Sequence, residues 1–213
     1  MRNRIIIPEG IYAITDSKSG KNKNILDYSR EILEAGVKIL QYREKKKNTK
    51  EKYQEALLLR KLTREFGAVF IVNDDISIAL AVEADGVHIG QDDLPIEEVR
   101  KILGERKIIG VSTHSPEQAK KAADSGADYI GVGPIFDTET KEDVCSTVGL
   151  EYLEYVEKNL SIPYVAIGGI KTHNLNEILN VGAKRIAMVS ELVGAKDTYA
   201  ITKDIISSHF PLN

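Results

Sequence analysis

The sequence predicts an α/β fold, and within that class a single (β/α)8 TIM barrel over residues 1–213. Three observations predict it. Short β-branched runs alternate with longer amphipathic stretches from one end to the other, glycines stand where helical stretches give way to the next run, and chemistry-bearing residues gather at one end of the runs. No linker, low-complexity tract or charge block interrupts the alternation. That continuity favours one closed barrel over an open doubly wound sheet, the competing arrangement of the same units.

The expected strands, in order, are Ile11–Thr15, Val37–Tyr42, Val69–Val72, Gly86–Ile89, Ile108–Ser112, Tyr129–Gly133, Tyr164–Ile167 and Arg185–Val189. They are short and poor in polar alternation, as parallel strands buried on both faces should be. Helical patterns between them include Ile25–Ala35, Thr49–Phe66, Leu94–Leu103, Ser115–Ser125, Leu150–Asn159 and Asn174–Val181. Ser115-Pro116-Glu117 offers an N-cap followed by proline at the first helical position. Gly36, Gly67, Gly104, Gly126 and Gly182 stand where left-handed C-terminal glycines belong. The phrases Glu34-Ala-Gly-Val-Lys38, Asp124-Ser-Gly-Ala-Asp128 and Asn180-Val-Gly-Ala-Lys184 state the same joint three times: a helix ends on glycine and the chain re-enters a strand.

Composition narrows the function classes. Hydrophobic residues make up 42% and charged residues 29% of the chain, an ordinary soluble balance. No apolar run approaches the ~18 residues of a membrane span, and Met1–Gly10 lacks both the apolar stretch and the cleavage site of a signal peptide. The lone cysteine, Cys145, rules out an intramolecular disulfide framework and fits a cytoplasmic location. A net charge of −3 gives no global attraction for nucleic acid, and the tyrosines lack the basic interleaving of a nucleic-acid surface. The expected partners are small molecules. Oligomeric state is left open, a homo-oligomer included.

Barrel chemistry sits at the C-terminal ends of the strands, and that end is where this sequence places its polar groups. Gln41, Arg43 and Lys45 alternate, so an extended segment projects one amide and two cations to one side, an arrangement suited to a diphosphate. Lys46 and Lys47 read as solvated charges. Asp74 and Asp93 end consecutive strands and together describe a Mg2+ site, while Asp75 and Asp92 beside them suit helix N-caps. Gly168-Gly169 and Val189-Ser190 follow the last two strands, where such barrels offer backbone amides to a phosphate. His88 reads equally as a packed core residue and as a ligand, His173 and His209 as surface residues, and Cys145 as inert. The opposite end shows mainly glycine and alanine.

Those residues lie within motifs that resemble the thiamine-phosphate synthase family. Tyr12-Ala-Ile-Thr-Asp16, Gln41-Tyr-Arg-Glu-Lys45, Val72-Asn-Asp74, Ala84-Asp-Gly-Val-His-Ile-Gly-Gln-Asp-Asp93, Gly110-Val-Ser112, Gly131-Val-Gly-Pro-Ile-Phe136, Thr138-Glu-Thr-Lys141, Val165-Ala-Ile-Gly-Gly-Ile170 and Val189-Ser190 occur in family order over nearly the whole chain. The resemblance implies that Gln41, Tyr42, Arg43, Glu44, Lys45, Asn73, Ser112 and Lys141 hold an aminopyrimidine diphosphate. It implies Mg2+ on Asp74 and Asp93, and thiazole phosphate on Thr138, Glu139, Thr140, Gly169, Val189 and Ser190. Arg43, Lys45, Ser112 and Lys141 would then stabilise the leaving diphosphate in a dissociative reaction that forms thiamine phosphate. The sequence departs from the family pattern at Glu191 and at Phe136-Asp137. Two alternatives share the barrel. A thiazole tautomerase would need its histidine base just after the sixth strand, where this chain has Gly133-Pro134. A non-catalytic sensor barrel that binds thiamine precursors has no sequence support such as a DNA-binding helix pair, and retained binding without turnover would be its mark.

Overall fold

The computed structural model describes residues 6–20, 23–138 and 146–210. It is a closed barrel of eight parallel strands in sequence order, β1 (Gly10–Ile14), β2 (Ile39–Tyr42), β3 (Val69–Asn73), β4 (Gly86–Ile89), β5 (Ile108–Thr113), β6 (Tyr129–Val132), β7 (Tyr164–Ala166) and β8 (Arg185–Met188). β8 closes on β1 with Ile11 opposite Ile186 and Tyr12 opposite Ala187. Strand bounds differ from the expected ones by a residue or two, because strand ends and the turns beyond them share the same β-branched composition. The open doubly wound sheet is excluded by the β1–β8 pairing.

The outer layer contains α1 (Ser17–Gly20), α2 (Ile25–Glu34), α3 (Thr49–Glu65), α4 (Ile76–Ala81), α5 (Ile96–Leu103), α6 (Pro116–Asp124), α7 (Gly149–Asn159), α8 (Leu175–Val181), α9 (Ser190–Val193) and α10 (Thr198–His209). Caps fix several of the starts. Asn48 and Glu51 form a reciprocal capping box on α3, and Ser115 accepts from Gln118 N with Pro116 at the first position of α6. Asp75 caps α4, as expected. Asp92 does not cap α5, whose boundary residue is Pro95 with no side-chain bond; two further residues separate Asp92 from the helix. The glycines at 36, 67, 104, 126 and 182 all take positive φ. No described helix is long and apolar enough to cross a membrane.

The strands bury both faces against different partners. Outward residues such as Leu40, Phe70, Val72, Ile109 and Ile130 join the helices in the larger core. Inward residues Tyr12, Ile14, Ile39, Ile71, Ile108, Tyr129, Val165 and Ala187 fill the barrel itself. The interior is narrow, and Tyr129 takes much of it. A Cβ on Gly110 would lie 2.0 Å from the Tyr129 ring, and one on Gly86 would lie 2.2 Å from the Ile108 carbonyl oxygen. These two glycines are therefore set by packing inside a closed sheet.

The N-terminal end of the barrel carries more than the expected glycine and alanine. Arg60 grips Asp85 through two bonds of 2.8 Å, and Asp85 also accepts Phe70 N from β3. Arg100 and Asp128 repeat the device one pair of strands later, with Asp128 accepting Ile109 N at 2.8 Å. Each aspartate enters a strand while tying itself to the strand before it, and an arginine from the helix that leads into that earlier strand neutralises it. Breaking one partner would leave a mostly buried charge uncompensated.

Gly110→Ala should lower stability by about 1–3 kcal/mol or more, the range for overfilling a packed interior. Thermal unfolding checks it. An unchanged melting temperature would mean that Tyr129 moves freely inside the barrel.

Candidate active site

Period-two alternation carries the inward face of each strand upward into the mouth of the barrel. There Gln41, Arg43, Asn73, His88 and Ser112 line a cavity of about 570 Å3 together with Thr138, Gly168, Gly169, Lys171, Val189 and Ser190. The floor is Tyr12, Tyr129, Val165 and Ala187. Polar groups from β2 to β5 thus face glycine backbone and a lysine from the loops after β7 and β8, across an apolar bottom.

On the first side, Arg43 is mostly buried. Its Nη1 donates to Asp16 at 3.2 Å, and its Nε has no hydrogen-bond partner among the described residues. Asp16 is itself held by Ser19 N at 2.7 Å. Gln41 donates to the Tyr12 hydroxyl at 2.8 Å, and Ser112 Oγ lies 2.9 Å from His88 Nε2. Gln91 donates to the Ser112 carbonyl at 2.6 Å, fixing that strand end.

Alternation sends the residues between them elsewhere. Tyr42 points outward to donate to Glu55 on α3 at 2.9 Å, and Glu44 accepts Lys46 N at 2.7 Å with Lys47 nearby. Both were expected to touch substrate, and the structure brings neither to the cavity. Lys45 does not line it either. Past the end of β2 the chain turns, and Lys45 pairs with Asp74. Asp74 sits in the left-handed region at φ +60, a conformation that aspartate tolerates better than most residues. Asp93 approaches Asp74 and accepts Gly90 N at 2.7 Å. Partial desolvation raises the Asp93 pKa, the Gly90 amide opposes that, and the adjacent Asp74 charge raises it further. Asp74 and Asp93 therefore share one small region with Lys45, a setting in which the two carboxylates could hold a divalent cation.

On the second side, Lys171 donates to Ser190 Oγ at 2.8 Å and pairs with Glu191 at 3.4 Å. Glu191, the departure from the family pattern, accepts from Thr172 N at 3.0 Å and Thr172 Oγ1 at 2.6 Å. Burial alone would raise its pKa, but these bonds and Lys171 outweigh it and hold the carboxyl below its usual range. It joins the loops after β7 and β8 and does not line the cavity. Gly169 lines it, yet a Cβ there would meet the backbone first, 2.4 Å from Asp137 O and 2.8 Å from Phe136 O. The glycine answers to the loop after β6 as well as to any ligand. Glu139, Thr140, Lys141 and Cys145 lie outside the described residues.

Sequence reasoning gave no role to Tyr12, Tyr129, Asp16, His114 or Lys171, although Asp16 and His114 stand at strand ends and Tyr12 opens a family motif. His114 follows β5, and its Nδ1 bonds Gly133 O at 2.5 Å. Extending the period-two register of Gln41 and Ser112 to every strand would have found both tyrosines; Asp16 and Lys171 lie in loops, where no periodicity applies.

A family model described as thiamine monophosphate synthase matches residues 11–192. The thiamine-phosphate synthase of Pelotomaculum thermopropionicum is 54% identical over 195 residues, 92% of this chain and 89% of its own. That of Lawsonia intracellularis is 51% identical over 185 residues, 87% of this chain and 85% of its own. Thiamine phosphate pyrophosphorylase from Pyrococcus furiosus superposes with a TM-score of 0.84 at 39% identity, covering 93% of this chain and 95% of that one. A 3-hexulose-6-phosphate synthase, with a TM-score of 0.67 at 16% identity, shares the fold alone.

Gly169→Ala should displace the Phe136–Asp137 backbone and lower the melting temperature even without ligand. Amide exchange across residues 134–138 measures the displacement. Unaltered exchange, with weaker phosphate binding, would assign the glycine to the ligand alone.

Proposed function

We propose a reaction for this cavity on one premise: the chain belongs to the thiamine monophosphate synthase family. It is an enzyme, a transferase of thiamine biosynthesis acting on small molecules. The reaction assigned to it joins an aminopyrimidine carrying a diphosphooxymethyl group to thiazole phosphate, releasing diphosphate and thiamine phosphate. The bond from the methylene carbon to the diphosphate oxygen breaks first, and its electron pair leaves with the diphosphate. The thiazole nitrogen then supplies its lone pair to the methylene cation. A cytoplasmic setting fits these substrates.

Arg43 is the observation that carries this reading. A guanidinium held from one side by Asp16 lines a cavity whose lining carries one carboxylate among the described residues, that of Asp137. Such a donor calls for an anion. Asn73 and Gln41 flank it for the pyrimidine, and Ser112 adds a hydroxyl. Lys45 stands over Asp74 at the adjoining lip. Stabilising a leaving group in this way needs preorganised donors rather than a nucleophilic side chain. Lys141 would join them by resemblance.

The donor set beside Lys45 fits Mg2+. Among the described residues no group of three or more His, Cys, Asp or Glu side chains could hold a metal, but Mg2+ commonly takes one or two carboxylates and completes its shell with water and phosphate oxygens. Asp74 and Asp93 would hold it, and when bound it would neutralise charge on the departing diphosphate. At the other side, the backbone around Gly169, Val189 and Ser190, with Thr138 and Lys171, would cradle the single phosphate of the thiazole.

Asp74→Asn keeps a residue that accepts positive φ and removes the charge. Synthesis of thiamine phosphate from the two substrates with Mg2+ should fall by about 10²-fold or more, with unchanged circular dichroism, and EDTA should arrest the native enzyme. Full turnover in metal-free buffer would overturn the Mg2+ assignment.

A further inference from the structure

A chain of hydrogen bonds crosses the barrel beneath the cavity. Gln41 Nε2 donates to Tyr12 Oη at 2.8 Å, Tyr12 Oη meets Tyr129 Oη at 2.7 Å, His88 Nδ1 meets Tyr129 Oη at 2.9 Å, and His88 Nε2 meets Ser112 Oγ at 2.9 Å. Tyr12 and Tyr129 are fully buried, so each phenol has one hydrogen to place and no bulk water to take it. Proton counting then fixes the direction of the whole chain. Tyr12 accepts from Gln41, which leaves its hydrogen for Tyr129. Tyr129 accepts that hydrogen and gives its own to His88 Nδ1. The imidazole carries its proton on Nε2 and donates to Ser112.

We infer that His88 is a positioning residue, locked by the Gln41–Tyr12–Tyr129 chain in the Nε2-protonated tautomer, so that the Ser112 hydroxyl is always presented to the cavity as a donor. A serine hydroxyl free to rotate donates or accepts as its neighbours require; this one accepts from His88, and its hydrogen is turned toward the ligand. The ligand it suits is an oxyanion, the same sign that Arg43 selects. A reversed Gln41 amide would turn every bond around and make Ser112 an acceptor toward the cavity, favouring a donor group there. Gly131 protects the arrangement, since a Cβ at that position would lie 3.3 Å from His88 Cε1. The assignment of the oxyanion as the diphosphate rests on the function proposed above; the tautomer does not.

Two measurements separate these. In protein labelled with 15N-histidine, long-range proton–nitrogen correlation should show His88 protonated on Nε2 and unprotonated on Nδ1, with the signals assigned by their loss in His88→Gln. Tyr129→Phe removes the donor to Nδ1 and should turn the single tautomer into a mixture, while lowering kcat about 10-fold, the worth of one hydrogen bond, and leaving the KM for thiazole phosphate unchanged. Tyr12→Phe, a smaller disturbance of the same chain, serves if Tyr129→Phe does not fold. A wild-type His88 carrying its proton on Nδ1, or on both nitrogens, would overturn the inference. The expected tautomer combined with undiminished binding of the pyrimidine diphosphate in Ser112→Ala would leave the inference standing and remove the diphosphate from that end of the site.

Discussion

The contact between Tyr12 and Tyr129, hydroxyl to hydroxyl across the inside of the barrel, sets the terms for much of what surrounds it. Eight strands closed on themselves leave an interior just wide enough for side chains. Two phenol rings placed there with centroids 6.0 Å apart leave little else to choose. Gly110 gives way to the Tyr129 ring, and Gly131 leaves room for His88. The polar tips then need partners, and Gln41 and His88 supply them from neighbouring inward positions. The active cavity rests directly on this floor, so the packing that closes the barrel also aims the groups that line its mouth.

The two ends of the barrel divide the charged residues by role. At the N-terminal end, Arg60 pairs with Asp85 and Arg100 with Asp128, and each aspartate also accepts a backbone amide, although Arg60 Nε has no hydrogen-bond partner among the described residues. Their charges are spent on holding strand to strand. At the C-terminal end, Arg43 lines the cavity with Asp16 as its one carboxylate partner among the described residues, and Asp74 and Asp93 press like charge against like charge. Under the function proposed above, an anion together with a divalent cation would answer the charges at that end.

Much of this was legible in the sequence, for physical reasons that can be named. Left-handed glycines and the Ser115-Pro116 cap are local requirements, so they mark element boundaries directly. The alternation of Gln41 and Arg43 gave their common face correctly, because a strand enforces period two. The same rule, applied one residue over, places Tyr42 and Glu44 on the outside, which family resemblance alone did not reveal. Lys45 departs from the pattern because the strand stops at Tyr42. The six-residue α4 escaped notice, since Ile76–Ala81 is too short and too uniformly apolar to show a helical face. The pairing of the two tyrosines, unlike their inward direction, was invisible for a different reason. Residues 12 and 129 are joined only by closure of the sheet, and no local pattern announces a partner 117 positions away. Gly169 looked like a place for a ligand, and its tightest neighbour proved to be the backbone of the preceding loop.

The seam between β1 and β8 has a consequence for synthesis. β1 finds β2 early, but its other edge has no partner until Arg185–Met188 has been made. The outer layer waits too, for α10 packs against α2 and follows β8 in the chain. Throughout elongation on the ribosome, the nascent chain therefore carries two unpaired parallel edges, one at each end of a growing curved sheet. Closure is a late, long-range event of the kind that makes high-contact-order proteins slow to fold. In the cell, such a chain has most to gain from chaperone cover in the interval between emergence of the seventh strand and arrival of the eighth.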